Sequence, residues 1–436
     1  MPLAGIVSPA VAQVVERPPR VLGGLFGGHQ PRDPNRTSQE LTLTFNVGSG
    51  YDENLGPGGQ ELPVGTFSPL ESGFGTTGGG EIRYWRGRAS RFLEASGRGY
   101  FNQTSAGDSP LGGGVAGLRG ETNLGRRSGL NLNAGVSYEP TLLFSALGSL
   151  LQPTEGIVVP DGNAPQGLLE QRWLVTQGSA GAYHNWTSRQ RMDVLYTNSR
   201  REPMNGPGEV SRTQLASVRH RWNPRQNGGF LFSYRFNENQ QDSLLFSRLP
   251  LRTHFADAGF QVERRLSPSR GILFSFTGGT AYTRVHSTGV DAGRDTFVVP
   301  TVSGLARFDL ARTWNVSTEA RRDVTVLEGL SPEPFATNLV SLHLDGVVSR
   351  RTNIGISGVY SRGAALVTNA GKFESAAASA QVQYALARCC GVFASYGYNK
   401  HRLLEVVSAP SGYPSRYDRH SVRVGFSFWL PLYGAF

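Results

Sequence analysis

The sequence predicts an all-β chain: a transmembrane, antiparallel up-and-down β-barrel of about eighteen strands, with sixteen as the alternative count. Two observations predict it directly. Apolar residues recur at every second position through many segments of roughly ten residues, the length that crosses a bilayer at a tilt. The connections between those segments alternate, short then long. A third observation removes the main rival. No run approaches the ~20 apolar residues of a membrane-spanning helix, and hydrophobic residues make up only 38% of the 436. Barrel strands turn half their residues away from lipid, so low hydropathy is compatible with a membrane location.

The last segment is the clearest. Val422, Val424, Phe426, Phe428 and Leu430 alternate with Ser421, Arg423, Gly425 and Ser427, which places the apolar set on one face of a strand. Taken alone, this stretch also fits an edge strand of a soluble sandwich. The same period starts at Leu41, Leu43, Phe45 and Val47. It returns at Leu130–Tyr138, Phe230–Phe236, Ile272–Tyr282, Trp314–Ala320 and Ala378–Leu386.

Short polar connections are expected at 86–91, 125–128, 187–190, 223–227, 267–270, 311–313, 349–352 and 388–390. Longer ones are expected at 48–79, 102–112, 139–169, 198–208, 237–249, 286–295, 325–334, 361–371 and 401–416. Eight short and nine long connections join eighteen strands, at about 22 residues per strand with its connection. An even count puts both ends of the barrel on the short-turn side. The loop 139–169 carries Leu142-Leu-Phe144 and Leu150-Leu151, which suits a segment folded into the lumen or a helix capping the rim.

The chain divides into three parts. Residues 1–12 end in Ala10-Val-Ala12 and read as a short, truncated signal peptide lacking a basic start. Residues 13–39 are rich in Gly, Pro and Arg without period and read as a flexible periplasmic lead-in. Residues 40–436 form the barrel.

The net charge of +10 comes almost wholly from arginine, since Lys372 and Lys400 are the only lysines. The arginines are spread along the chain rather than gathered in a stripe, which argues against nucleic acid as partner. Cys389 and Cys390 are adjacent and make neither a disulfide framework nor a zinc site. The eight histidines are dispersed, and no nucleophile elbow, phosphate loop or metal-ligand spacing appears. No enzyme, cofactor or metal centre is expected. Tyr51-Asp-Glu-Asn54 offers oxygen ligands to calcium, although one short acidic patch is more often simply a solvated loop.

A barrel this wide leaves an aqueous lumen. The residues opposite the apolar set line it: Thr42, Thr44, Arg83, Asn131, Asn133, Arg191, Asp193, Arg235, Arg307, Asp309, Glu319, Arg321, His343, Asp345 and Arg423. Arginine exceeds acid there, which favours a passing anion. Alternatively, those arginines pair with carboxylates across strands and select nothing.

The final strand resembles the C-terminal assembly signal of Gram-negative outer-membrane barrels, with Phe426, Phe428, Leu430, Leu432 and Phe436 in the alternating positions. Gly434 and Pro431 depart from that pattern. The resemblance implies outer-membrane lipid and the barrel-assembly machinery as partners. The Gly48-Ser-Gly-Tyr-Asp-Glu-Asn54 stretch, with the recurrent Ser/Arg turns, resembles the β-barrel porin families, some of whose members accompany exopolysaccharide export. The resemblance implies a pore without catalytic residues. Three functions follow: a porin for small hydrophilic, anionic solutes; an exit duct for an anionic polysaccharide; and a closed barrel acting as surface adhesin or scaffold.

Overall fold

The computed structural model describes residues 38–55, 71–88, 91–104, 111–139, 172–204, 210–225, 227–242, 249–267, 270–286, 294–310, 313–327, 331–367, 371–404 and 416–434. Among them every extended element is a β-strand. The first six are β1 (Ser38–Leu55), β2 (Glu71–Arg88), β3 (Arg91–Thr104), β4 (Leu111–Asn123), β5 (Ser128–Glu139) and β6 (Trp173–Asn185). The next six are β7 (Gln190–Pro203), β8 (Val210–Arg225), β9 (Gly228–Asp242), β10 (Leu249–Ser267), β11 (Arg270–His286) and β12 (Arg294–Leu310). The last are β13 (Trp314–Leu327), β14 (Ser331–Ser349), β15 (Thr352–Ala365), β16 (Lys372–Ala385), β17 (Cys390–Leu404) and β18 (Arg416–Tyr433).

Each strand pairs antiparallel with its sequence neighbours, and β1 pairs with both β2 and β18, so the 18-stranded sheet closes on itself. Closure removes the free edges and satisfies the backbone within the wall, the condition for a sheet in lipid.

The predicted period two sets the faces. On β18, Val422, Val424, Phe426, Phe428 and Leu430 all stand exposed on the outside, while Ser421 and Arg423 between them are buried. Direct partners share a face, so Phe428 of β18 meets Phe45 of β1 with ring centroids 6.4 Å apart. Leu130 and Leu132, Val194 and Tyr196, Phe230 and Phe232, and Phe274 and Phe276 continue this exposed apolar jacket around the wall. Such a surface is stable against acyl chains and unstable in water.

One set of connections falls where the sequence placed the short turns, between Arg88 and Arg91, Ser267 and Arg270, and Ser349 and Thr352 among others. At the opposite end the strands run further than the alternation suggested. β1 continues to Leu55 and β2 begins at Glu71, so both ends of the expected loop 48–79 lie in strands. Pro431 does not end β18. It lies at a register shift against Leu41 and Thr42, where a missing N–H is tolerated. Gly434 follows with φ +67, a left-handed backbone in which a Cβ would strike the Gln39 carbonyl. The expected leader and lead-in (1–37), most of the apolar loop 139–169, and Phe436 lie outside the described residues.

Candidate permeation path

The face opposite the apolar jacket points into the barrel. Register and exposure place Arg83, Arg191, Asp193, Arg235, Arg307, Asp309, Glu319, Arg321, His343, Asp345 and Arg423 on it, with Thr42, Thr44, Asn131 and Asn133. Most of these arginines do not stand alone. Arg83 contacts Glu94 at 2.6 Å, and Arg191 contacts Asp193 at 2.7 Å while lying over the Tyr183 ring. Arg307 approaches Asp309 at 3.6 Å, and Asp309 also accepts from Asn315. Arg321 has no acidic partner among the described residues. Much of the expected arginine excess is therefore neutralised within the wall.

A second exception lies between β1 and β18. Asp52 accepts from Nε and Nη2 of Arg419 through one oxygen, the Nη2 contact at 2.8 Å, and from Arg423 at 3.2 Å through the other. Arg419 keeps only 1% of its surface. Two guanidiniums share one carboxylate, so the cluster carries a net positive charge in a place where water screens it poorly. This overturns Asp52 as a surface calcium ligand: it belongs to β1, faces inward and is already engaged. No group of three or more potential metal-ligating His, Cys, Asp or Glu side chains occurs among the described residues.

The inner face is also less uniformly polar than the alternation implied. Phe255 of β10, Ala281 of β11 and Val299 of β12 are direct neighbours on the inner wall and are buried together with Val324 of β13. Val324 reaches them because β13 leaves the wall. The β12–β13 ladder runs only from Asp309↔Asn315 to Val302↔Arg322, although both strands continue beyond it. It stops just short of Pro300, a residue with no N–H to give to a ladder. Beyond that point the end of β13 turns into the barrel. Asp323 then meets Arg235 of β9 at 3.0 Å, and Arg235 stacks on Phe255 with 4.0 Å to the ring centroid. Phe335, Leu339, Phe373 and Leu403 extend the buried apolar lining over β14, β16 and β17.

The other side stays open. Val115 of β4 pairs with Arg98 of β3 and Ser137 of β5 on the inner face, yet remains 45% exposed. Glu81 and Arg98 nearby keep about a third of their side-chain surface, at 33% and 32%. The lumen is thus lopsided, with a dry packed side along β10–β17 at the loop end and a wet, charged side along β2–β5.

Asp52, Arg419, Asp323, Phe255 and Val324 were not anticipated as lumen residues. Asp52 falls within the expected loop 48–79, whereas Arg419 shares the parity of Arg423 on the last strand. The signals present were Pro300 inside an apolar run and the apolar residues on both faces of Phe335–Val348.

No protein-family model and no curated protein matches the chain. Several solved structures are similar to the chain along most of its length. OccK2 (OpdF) of Pseudomonas aeruginosa is 11% identical with a TM-score of 0.43, over 90% of this chain and 98% of that one. OccK11 (OpdR) of the same organism is 14% identical with a TM-score of 0.42, over 91% and 96%. OccAB4 of Acinetobacter baumannii is 10% identical with a TM-score of 0.42, over 92% and 100%. One OccK2 structure is a complex with glucuronate. At this level of similarity none of these proteins assigns a function to the chain.

Proposed function

We propose that this chain is a channel of the bacterial outer membrane that passes small hydrophilic solutes by diffusion and favours anions. The observation that carries the proposal is the lopsided lumen: a closed, lipid-jacketed wall whose inner face is charged and open along β2–β5 and narrowed by the inward end of β13 opposite. A passage of that form suits small solutes better than a polymer, which ranks the polysaccharide duct second. The shared Asp52 between Arg419 and Arg423 supports the anion preference, because fixed positive charge beside a narrow path raises the local anion concentration.

In this proposal residues 1–12 direct export, residues 13–37 lie in the periplasm, and β18 engages the barrel-assembly machinery before it closes onto β1. The inner face needs no catalytic group. Single-channel recording of the refolded barrel in a planar bilayer, with reversal potentials under a salt gradient, tests the proposal. Open steps with anion preference support it. A sealed bilayer would redirect attention to a closed barrel acting through its loops.

A further inference from the structure

The outer face carries a second charged feature, one that no solute in the lumen can meet. Along β10 the outward residues Val262, Phe260, Ala258 and Ala256 are followed by His254 and then Arg252. Along β11 the order is Phe274, Phe276, then Tyr282 and Arg284. Along β17 it is Tyr396, Tyr398, Lys400 and Arg402. From Val262 to His254 the strand covers roughly 26 Å at ~3.3 Å per residue, or roughly 20 Å of membrane depth once tilted. The arginines therefore begin where the apolar jacket and its aromatic edge end, level with lipid headgroups.

Their register is unusual. Arg252 lies directly opposite Arg284, Arg200 opposite Arg212, and Arg402 opposite Arg416. Like charges directly opposed on a sheet face repel. In each pair one arginine is neutralised: Arg252 by Glu238 at 3.0 Å, Arg416 by Asp418 at 2.8 Å, and Arg200 by Glu202. The other, Arg284, Arg402 or Arg212, makes no ion pair among the described residues, although Arg402 stands directly opposite Glu374 of β16 on its other side.

We propose that this loop-end collar binds the phosphate groups of phosphorylated lipid headgroups in the surrounding leaflet, with Arg212, Arg284 and Arg402 as the free arm of each site. A guanidinium fork matches two phosphate oxygens, and an anion bridging opposed arginines converts their repulsion into attraction. Lipid is the source because the six side chains face outward at headgroup depth. The proposal rests on the membrane-channel assignment above, and the two fail differently.

The test uses the full refolded barrel in neutral detergent, incubated with lipopolysaccharide or with the same lipopolysaccharide after enzymatic dephosphorylation. Native mass spectrometry then counts retained lipid. The wild type is expected to retain the phosphorylated form about tenfold better, as for a site where charge-assisted hydrogen bonds dominate. The R212Q/R284Q/R402Q variant is expected to lose that preference while keeping its single-channel conductance. Equal retention of both lipid forms by the wild type would overturn the proposal and requires no variant. So would full competition by inorganic phosphate at equal concentration, which would indicate a free-anion site, or an unchanged preference in the variant. If the triple variant does not fold, the three single variants are compared instead. A chain that refuses to enter bilayers sinks the channel assignment, whereas a conducting barrel without lipid preference sinks only this one.

Discussion

Asp323 of β13 and Arg235 of β9 form an ion pair at 3.0 Å although three strands, β10 to β12, separate them in the wall. Only an inward turn of the β13 tip brings them together, and the same turn buries Val324 against Phe255 and Val299. The pair is partly solvated, so its own contribution is about 1 kcal/mol or less. Its consequence is positional, because it holds the end of β13 across the path.

Asp323→Asn is accordingly expected to enlarge the single-channel step or make it noisier, with little loss of stability. Arg235→Gln is expected to do the same, and the double variant to add nothing further. Additive effects of the two changes in conductance would mean that they act at separate places.

Asp52→Asn is expected to be severe. It leaves Arg419 and Arg423 buried beside each other with no carboxylate between them. Breaking a buried ion pair from one side costs about 3–5 kcal/mol. Urea unfolding of the barrel in vesicles measures it, and a loss below about 1 kcal/mol would contradict the burial of the cluster.

Selectivity separates paired from unpaired arginines. Arg321→Gln removes a charge with no acidic partner among the described residues, and is expected to lower the anion-to-cation permeability ratio about two- to threefold. The R83Q/E94Q double variant removes a neutral pair and is expected to leave the ratio unchanged. Reversal potentials under a salt gradient decide. A ratio that moves more in the double variant than in R321Q would assign the selecting charge to the wrong wall.

The two faces are distinguished by arginine insertion. Val424→Arg places a charge in the lipid jacket near mid-depth and is expected to cost about 2–4 kcal/mol. Asn133→Arg faces the lumen, where water solvates the new charge, and is expected to alter conductance rather than stability. Unfolding in vesicles, run on both variants, should separate them clearly.

Several features were legible in the linear chain because they depend on periods of two and on turn chemistry. The apolar run Val422–Leu430 names the lipid face of β18 without reference to any other strand, since alternation alone decides which side chains share a face. Turns such as Ser267–Arg270 follow from residues that cannot continue a ladder. Together they set the strand count, and an even count lets first and last strands meet antiparallel.

What the sequence by itself determined is thus the barrel, its lipid face and the parity of Arg83, Arg321 or Arg423. Only the tertiary structure decided which of those side chains are charged in effect. Whether Arg83 is neutralised depends on the stagger that brings Glu94 to it. Whether Arg235 acts at all depends on β13 parting from β12 beyond Val302 and Arg322, which carries Asp323 across the lumen. Asp52 and Arg419 lie 367 residues apart and meet only when β1 and β18 close the sheet. Alternation assigns a residue to a face, but it carries no information about which residue stands opposite. That is fixed by the shear of the closed wall, a property of all eighteen strands together.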